Sequence, residues 1–159
     1  YPRSEDEELV CIAENKSCSV DAVQFLLGCT AGKGNLIVVD NGKQAFTFYS
    51  RDKSRAMRIY FQGDVFGRMD ALRLKAAAGE LSPGERKEMD ALRSQVIDAI
   101  LSGRDEDLLA VKEVDIPAPD KAKIYPSLRC QQCGERFMEI KGRTAEGKVL
   151  CKDCFEKIV

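Results

Sequence analysis

Histidine is absent from all 159 residues, and so is tryptophan. Without imidazole, any metal or acid–base chemistry in this chain falls to Cys, Asp, Glu, Lys or Tyr. An excess of one charge is lacking too. Lys and Arg number 25 against 26 Asp and Glu, a net charge of -1. Polyanion binding needs surplus cations, so nucleic acid is not an expected partner. Apolar runs stop at strand length, as in LIVV at 36–39, far short of a membrane span, so no membrane partner is expected. No basic-then-apolar leader opens the chain, whose start is acidic from Glu5 to Glu8. Nor does it start with methionine. The expectation is that residues preceding Tyr1 are missing and that a site here can lack some of its members.

What is present suffices for one packed core and a small appendage, with 44% apolar residues. Seven cysteines, an odd number with no export signal, favour a reduced, cytoplasmic setting over a disulfide framework.

The pattern along the chain is α+β. A strand is expected at 9–13 and a helix at 20–27, with Ser17 or Ser19 as its cap and Gly28 near its end. A glycine-rich turn at 31–35 leads to the strand LIVVD. Asn41-Gly42 then has the chemistry of a tight hairpin into a strand at 45–49, and a further strand follows at 56–61. This β-α-β-β-β core leaves one sheet face in need of cover. Asp64 is placed to cap a helix ending near Gly79. Ser82-Pro83-Gly84-Glu85 has capping-box spacing and begins a helix that Gly103 closes, with a further turn at 108–111. Three prolines in 116–127 mark an extended linker. The expected domains are a core over 1–63, a helical segment packed on or beside it over 64–115, a linker over 116–127 and a zinc finger over 128–159.

The finger is the strongest chemical signal. Cys130-x-x-Cys133 and Cys151-x-x-Cys154 are separated by 17 residues, a spacing suited to a tetrahedral four-thiolate zinc site. Gly134 lets the chain turn under the metal. Residues 137–140 and 148–150 are expected to pair, with Cys151 and Cys154 at the start of a last helix, an arrangement resembling a treble clef. Four protein ligands leave no open position, so one structural zinc per chain is expected. Residues 129–159 hold seven Lys or Arg and five Asp or Glu, and a zinc with four thiolates cancels that excess. The finger therefore reads as a packing or docking module, and a transcription-regulator reading is disfavoured.

A second cysteine cluster lies at 14–35, ENKSCSVDAVQFLLGCTAGKGN. Cys18 near a helix start is either an activated thiol or a small core residue. Asp21, one turn on, either orients a metal or acid or simply favours the helix start. Cys29 follows Gly28, and Lys33 sits in a glycine-bounded turn where it can lower a thiol pKa or hold an anion. AGKGN lacks the spacing of a phosphate loop. Cys11 reads as core.

Cys18, Asp21, Gln24, Cys29, Lys33, Gly34 and Asn35, the hairpin ending AFTFY and the zinc ribbon together resemble the FmdE family of formylmethanofuran dehydrogenase proteins. That family takes its name from a molybdenum or tungsten enzyme that fixes carbon dioxide onto methanofuran in methanogenesis. The resemblance implies a subunit of an oxidoreductase, not the component that bears the pterin or the clusters. It also implies an N-terminal helix carrying a His-Gly-His-x-Cys motif, which has no match here. A second metal would need that motif, and the helix would cover the open sheet face.

The expected protein is a metal-binding member of that family with candidate site residues Cys18, Asp21, Cys29 and Lys33. Lys33 and Cys29 are expected close to Cys18, through a turn folding back on the helix start. The competing reading is an accessory or docking protein without chemistry, binding other components of the dehydrogenase. A homodimer is expected, because the 12-residue linker spans roughly 35 Å when extended and can carry the finger to a partner's core.

Overall fold

The computed structural model describes residues 6–158, so Glu5 of the acidic lead-in lies outside the described residues. Two compact units divide the chain, one ending at Lys121 and the other beginning at Ala122. No helix among the described residues is long and apolar enough to cross a membrane.

The first unit is a mixed sheet with helices. Its strands are β1 (Leu9–Ala13), β2 (Leu36–Val38), β3 (Ala45–Ser50), β4 (Arg55–Phe61) and β5 (Leu109–Val114). Their order is β2-β1-β3-β4-β5. β1 is parallel to β2 and antiparallel to β3, and the remaining pairs are antiparallel. Helix α1 (Ser19–Leu27) makes the long crossover that a parallel pair requires.

The expected hairpin at Asn41-Gly42 does not form, because β1 occupies the place between β2 and β3. The positive φ values at Asp40 (43°) and Gly42 (67°) instead bend a loop around the end of β1. That loop is tied down by Val39 N–H on the Ala13 carbonyl and Lys43 N–H on the Glu14 carbonyl. Turn chemistry is local, whereas the crossover decides which strand lies beside which.

Alternation along the strands sends residues to two faces. On the first, Leu9, Cys11 and Phe48 pack with Val23 of α1 and with Cys29. On the second, Val10, Tyr49 and Ala56 meet Ile37, Val114 and Ile116. Ile116 belongs to the segment expected to be a free linker. Arg51 fastens the same segment, donating to the carbonyls of Pro119 (2.8 Å), Asp120 (3.1 Å) and Glu7 (2.9 Å). The first part of 116–127 is thus bound to the core.

Helix α2 (Gly67–Ala77) starts three residues after Asp64, which does not cap it. Helix α3 (Pro83–Ser102) has the capping box that its sequence predicts, with Ser82 and Glu85 exchanging bonds. Met69, Leu72 and Val96 are the buried residues of this helical pair. A short helix, α4 (Asp105–Leu108), leads into β5. Residues 64–115 are therefore not all helical. Residues 109–114 close the sheet beside β4, and the turn expected at 108–111 is the entry to a strand.

Leu108 makes that junction. Its side chain fills the space over two glycines: a Cβ on Gly63 or Gly103 would come within 2.9 Å of it. Its carbonyl accepts from Gln62 N–H (2.8 Å) and Gly63 N–H (3.3 Å).

Candidate functional site

The second unit is built around its thiols. β6 (Ser127–Arg129) pairs with β7 (Arg136–Met138), and Cys130 and Cys133 lie in the connection. Gly134, at φ 77°, turns that connection back and donates to the Cys130 carbonyl (2.9 Å). β8 (Arg143–Ala145) and β9 (Lys148–Leu150) form a second hairpin, turned by Glu146 and Gly147 at φ 51° and 72°. Cys151 is the N-cap of α5 (Lys152–Glu156), and Cys154 lies one turn in.

The expected pairing of 137–140 with 148–150 is therefore wrong. A two-residue turn sets 145 against 148, while the Cys130 connection draws 136–138 onto 127–129. Gln131 joins the two hairpins, its N–H on the Val149 carbonyl and its side-chain oxygen on Val149 N–H.

The four Sγ atoms lie within 4.8 Å of one another, and those of Cys133 and Cys151 are 3.9 Å apart. A tetrahedral ion with metal–sulfur bonds of about 2.3 Å sets its sulfurs roughly 3.8 Å apart. The donor set fits zinc in both geometry and softness. Burial pushes the Cys130 thiol up, yet backbone N–H groups of Cys133, Cys151 and Gln132 outweigh it and hold the thiol at about 6. One of these contacts is Cys151 N–H to Cys130 Sγ at 3.3 Å. Burial puts Cys154 at about 12 without a cation, and a divalent ion at the centre would favour the thiolate. Leu150 is fully buried beneath the cluster with Cys130 and Cys154. The second unit has little other core, so ligation and folding are coupled.

In the first unit the candidate residues separate into two groups. Cys18 is the N-cap of α1 and is exposed. Asp21, also exposed, accepts from Gln24 Nε2 (3.4 Å) in the same turn. The entry to this helix is fixed by buried Asn15. Its Oδ1 accepts from Ser17 N–H (3.0 Å) and Ser17 Oγ (2.7 Å), and its Nδ2 donates to the Lys43 carbonyl (2.9 Å). Next to it, Glu14 pairs with Arg58 at 2.6 Å, and this hydrogen bond holds the Glu14 carboxyl below its ordinary value despite burial.

Cys29 lies past the other end of α1, nine residues of helix away, or about 14 Å of rise. It is buried, and its Sγ faces the Leu9 carbonyl at 3.6 Å. Burial pushes its thiol up, opposed by the positive charge of Lys33. Cys11, buried beside it, is pushed to about 12 by burial and by Cys29. The structure thus brings Cys29 and Lys33 together and leaves Cys18 apart. The glycine-rich turn does not fold back to the helix start, because Asn35 holds it at the helix end. Asn35 Oδ1 accepts from Thr30 N–H (2.8 Å), and its Nδ2 reaches the carbonyls of Leu9 (2.9 Å) and Gly28 (3.4 Å).

Ser17, Ser19 and Gln44 carry no chemical signal in the sequence, yet they hydrogen-bond beside Cys18. Ser17 Oγ meets Ser19 Oγ at 2.6 Å, and Ser19 Oγ donates to Gln44 Oε1 at 3.2 Å. Neither Ser17 nor Ser19 caps α1 as expected: Cys18 holds the N-cap position, and the serine hydroxyls turn to Asn15 and to each other instead. Gln44 comes from 25 residues further on, and no local pattern points to it.

Comparison with known proteins accounts for both units. The family model described as FmdE, molybdenum formylmethanofuran dehydrogenase operon, matches residues 1–110. That of the prokaryotic dksA/traR C4-type zinc finger matches residues 123–159. A relative from Archaeoglobus fulgidus, named a probable S-adenosyl-L-methionine-binding protein, is 29% identical over 154 residues. The match takes in 93% of this chain and 41% of that protein, so the chain spans about two-fifths of the relative's length. A crystal structure of a tungsten formylmethanofuran dehydrogenase FmdE-like protein from Syntrophus aciditrophicus has the same fold. Its TM-score is 0.61 at 24% identity, covering 96% of this chain and 74% of that one.

Proposed function

Since the chain belongs to the FmdE family, we propose that it is a metal-binding accessory protein of formylmethanofuran-dehydrogenase-type one-carbon metabolism. Its finger carries one structural zinc on Cys130, Cys133, Cys151 and Cys154. The observation behind this reading is the convergence of four sulfurs within 4.8 Å in a unit with almost no other core. Elemental analysis of the purified chain is expected to give one zinc per chain, lost in Cys133→Ser while the first unit stays folded. A well-ordered finger free of metal would overturn it.

In the core, the accessible thiol is Cys18 at the head of α1, with Asp21 in its first turn, and this is the end offered to a metal or electrophile. Cys29 is buried, and burial raises its thiol against the opposing charge of half-buried Lys33. Cobalt(II) titration separates the sites. A thiolate-to-cobalt band that persists in Cys133→Ser and disappears when Cys18→Ser is added to that variant supports a core site, and its absence from Cys133→Ser removes that site.

A docking role is favoured by a different observation. Phe25, Leu26, Leu74 and Leu101 are each more than 60% exposed, on α1, α2 and α3. Large apolar side chains exposed on helices suit contact with another chain, a second copy or other components of the dehydrogenase. Sedimentation at micromolar concentration is expected to show a dimer that Leu74→Asp or Leu101→Asp weakens. A monomer in every case removes the homodimer.

A further inference from the structure

Between the sheet and the helical pair of the first unit lies a cavity of about 320 Å³. Its floor is Phe46, Ile59, Phe61 and Leu109, which the β3–β4 and β4–β5 registers bring to one face. Phe66, just before α2, and Ile100 of α3 form the opposite wall. Ser19 and Gln44 close one end, so the cavity finishes one residue from Cys18. We infer that this cavity is a binding site for an uncharged, flat ring compound whose hydrogen-bonding edge meets Gln44 and Ser19.

Three features point to such a ligand. The first is size: the cleft, open to solvent past the partly exposed Ile100, reaches the roughly 300 Å³ at which small-molecule sites begin. The second is the set of rings already held in place. Phe61 and Phe66 meet with centroids 5.9 Å apart at 50°, and the Arg73 guanidinium lies 5.5 Å from the Phe66 centroid. Phe46 stacks on Phe48 at 6.3 Å and 21°. Ring walls fixed before binding lose little freedom when a flat molecule enters. The third is the polar end. Asn15, bonded to the Lys43 backbone, anchors Ser17 and Ser19, which in turn engage Gln44. Hydroxyl and amide groups retain spare donors and acceptors, so this end serves an edge with one of each, as a lactam has. No lining side chain carries charge, and a charged ligand would lose its hydration with nothing in return.

Quinolin-2-one is a suitable probe, titrated into the full chain with zinc bound and followed by amide chemical shifts. Shifts centred on Phe61, Phe66 and Ile100 are expected. Gln44→Leu should weaken binding about tenfold, the effect of one lost hydrogen bond. Ile100→Trp fills the cavity and should abolish binding while the unfolding temperature holds or rises. S-adenosyl-L-methionine, which is charged, should leave these resonances unmoved. The inference fails if quinolin-2-one does not bind at several millimolar, if binding survives Ile100→Trp, or if S-adenosyl-L-methionine binds equally well. It also fails if Ile100→Trp turns a dimer into a monomer, since the cavity would then be a contact between copies. None of these readouts depends on metal at Cys18.

Discussion

Asn35 has no exposed surface, and its amide is fully engaged: Oδ1 takes an N–H, and Nδ2 is aimed at the carbonyls of Leu9, Asp6 and Gly28. Three acceptors around one NH₂ group make the position intolerant of an acceptor. Asn35→Asp would set a buried carboxylate against carbonyl oxygens, and the loss should be about 3 kcal/mol or more, read from the urea midpoint. A shift within about 0.5 kcal/mol would mean that the amide is not the tie described. This role was not legible in the sequence, where Asn35 reads as the end of a glycine-rich motif. Its partners lie up to 29 residues away, and no local pattern encodes them. Cys18 and Cys29 show the same limit. Their residue types suggest chemistry, but only the helix between them shows that they lie at opposite ends. The four finger cysteines were legible because zinc geometry is written directly into CxxC spacing.

At the scale of elements, the start of α3 has the clearest pH dependence. A hydrogen bond from Lys75, reinforced by the Ser82 backbone and hydroxyl, depresses the Glu85 carboxyl from 4.5 to about 2. A depressed carboxylate stabilises the folded state above its unfolded value. Its contribution should therefore be full above about pH 5, decline as pH falls from 4.5 toward 2, and be gone below that. Thermal unfolding of the wild type and Glu85→Gln should differ at pH 6 and converge near pH 2. Ser82→Ala should cost about 1 kcal/mol by removing the cap. This box was readable from Ser82-Pro83-Gly84-Glu85 because its atoms are neighbours in sequence. β5 was not, since the short apolar run 108–111 fits a helical turn as well as a strand and its strand character comes from pairing with β4. The Asn41-Gly42 signal marked a real turn but not its strands, because neighbours in a sheet are decided by the crossover.

At the scale of the whole molecule, the two units draw stability from different sources. The first has a two-faced sheet core, while the second has a few residues around four thiols. A strong chelator should unfold the second alone, on the order of 10 kcal/mol of its folding free energy being metal binding. Amide resonances of residues 127–156 should collapse while those of β1 to β5 persist, and loss of both together would contradict independent stabilisation. Inside the first unit, the wedge of Leu108 over Gly63 and Gly103 has a kinetic consequence. The end of the helical pair and the last strand share one side chain as their fastening, so neither can open without releasing the other. Amide protons of 99–103 and 109–114 should then exchange with solvent as one cooperative unit, with a common opening free energy. Leu108→Ala would lower that shared value and leave the exchange of β1 unchanged. The edge of the sheet is, in this sense, a hinge pin, and the helical pair swings only when the pin is drawn.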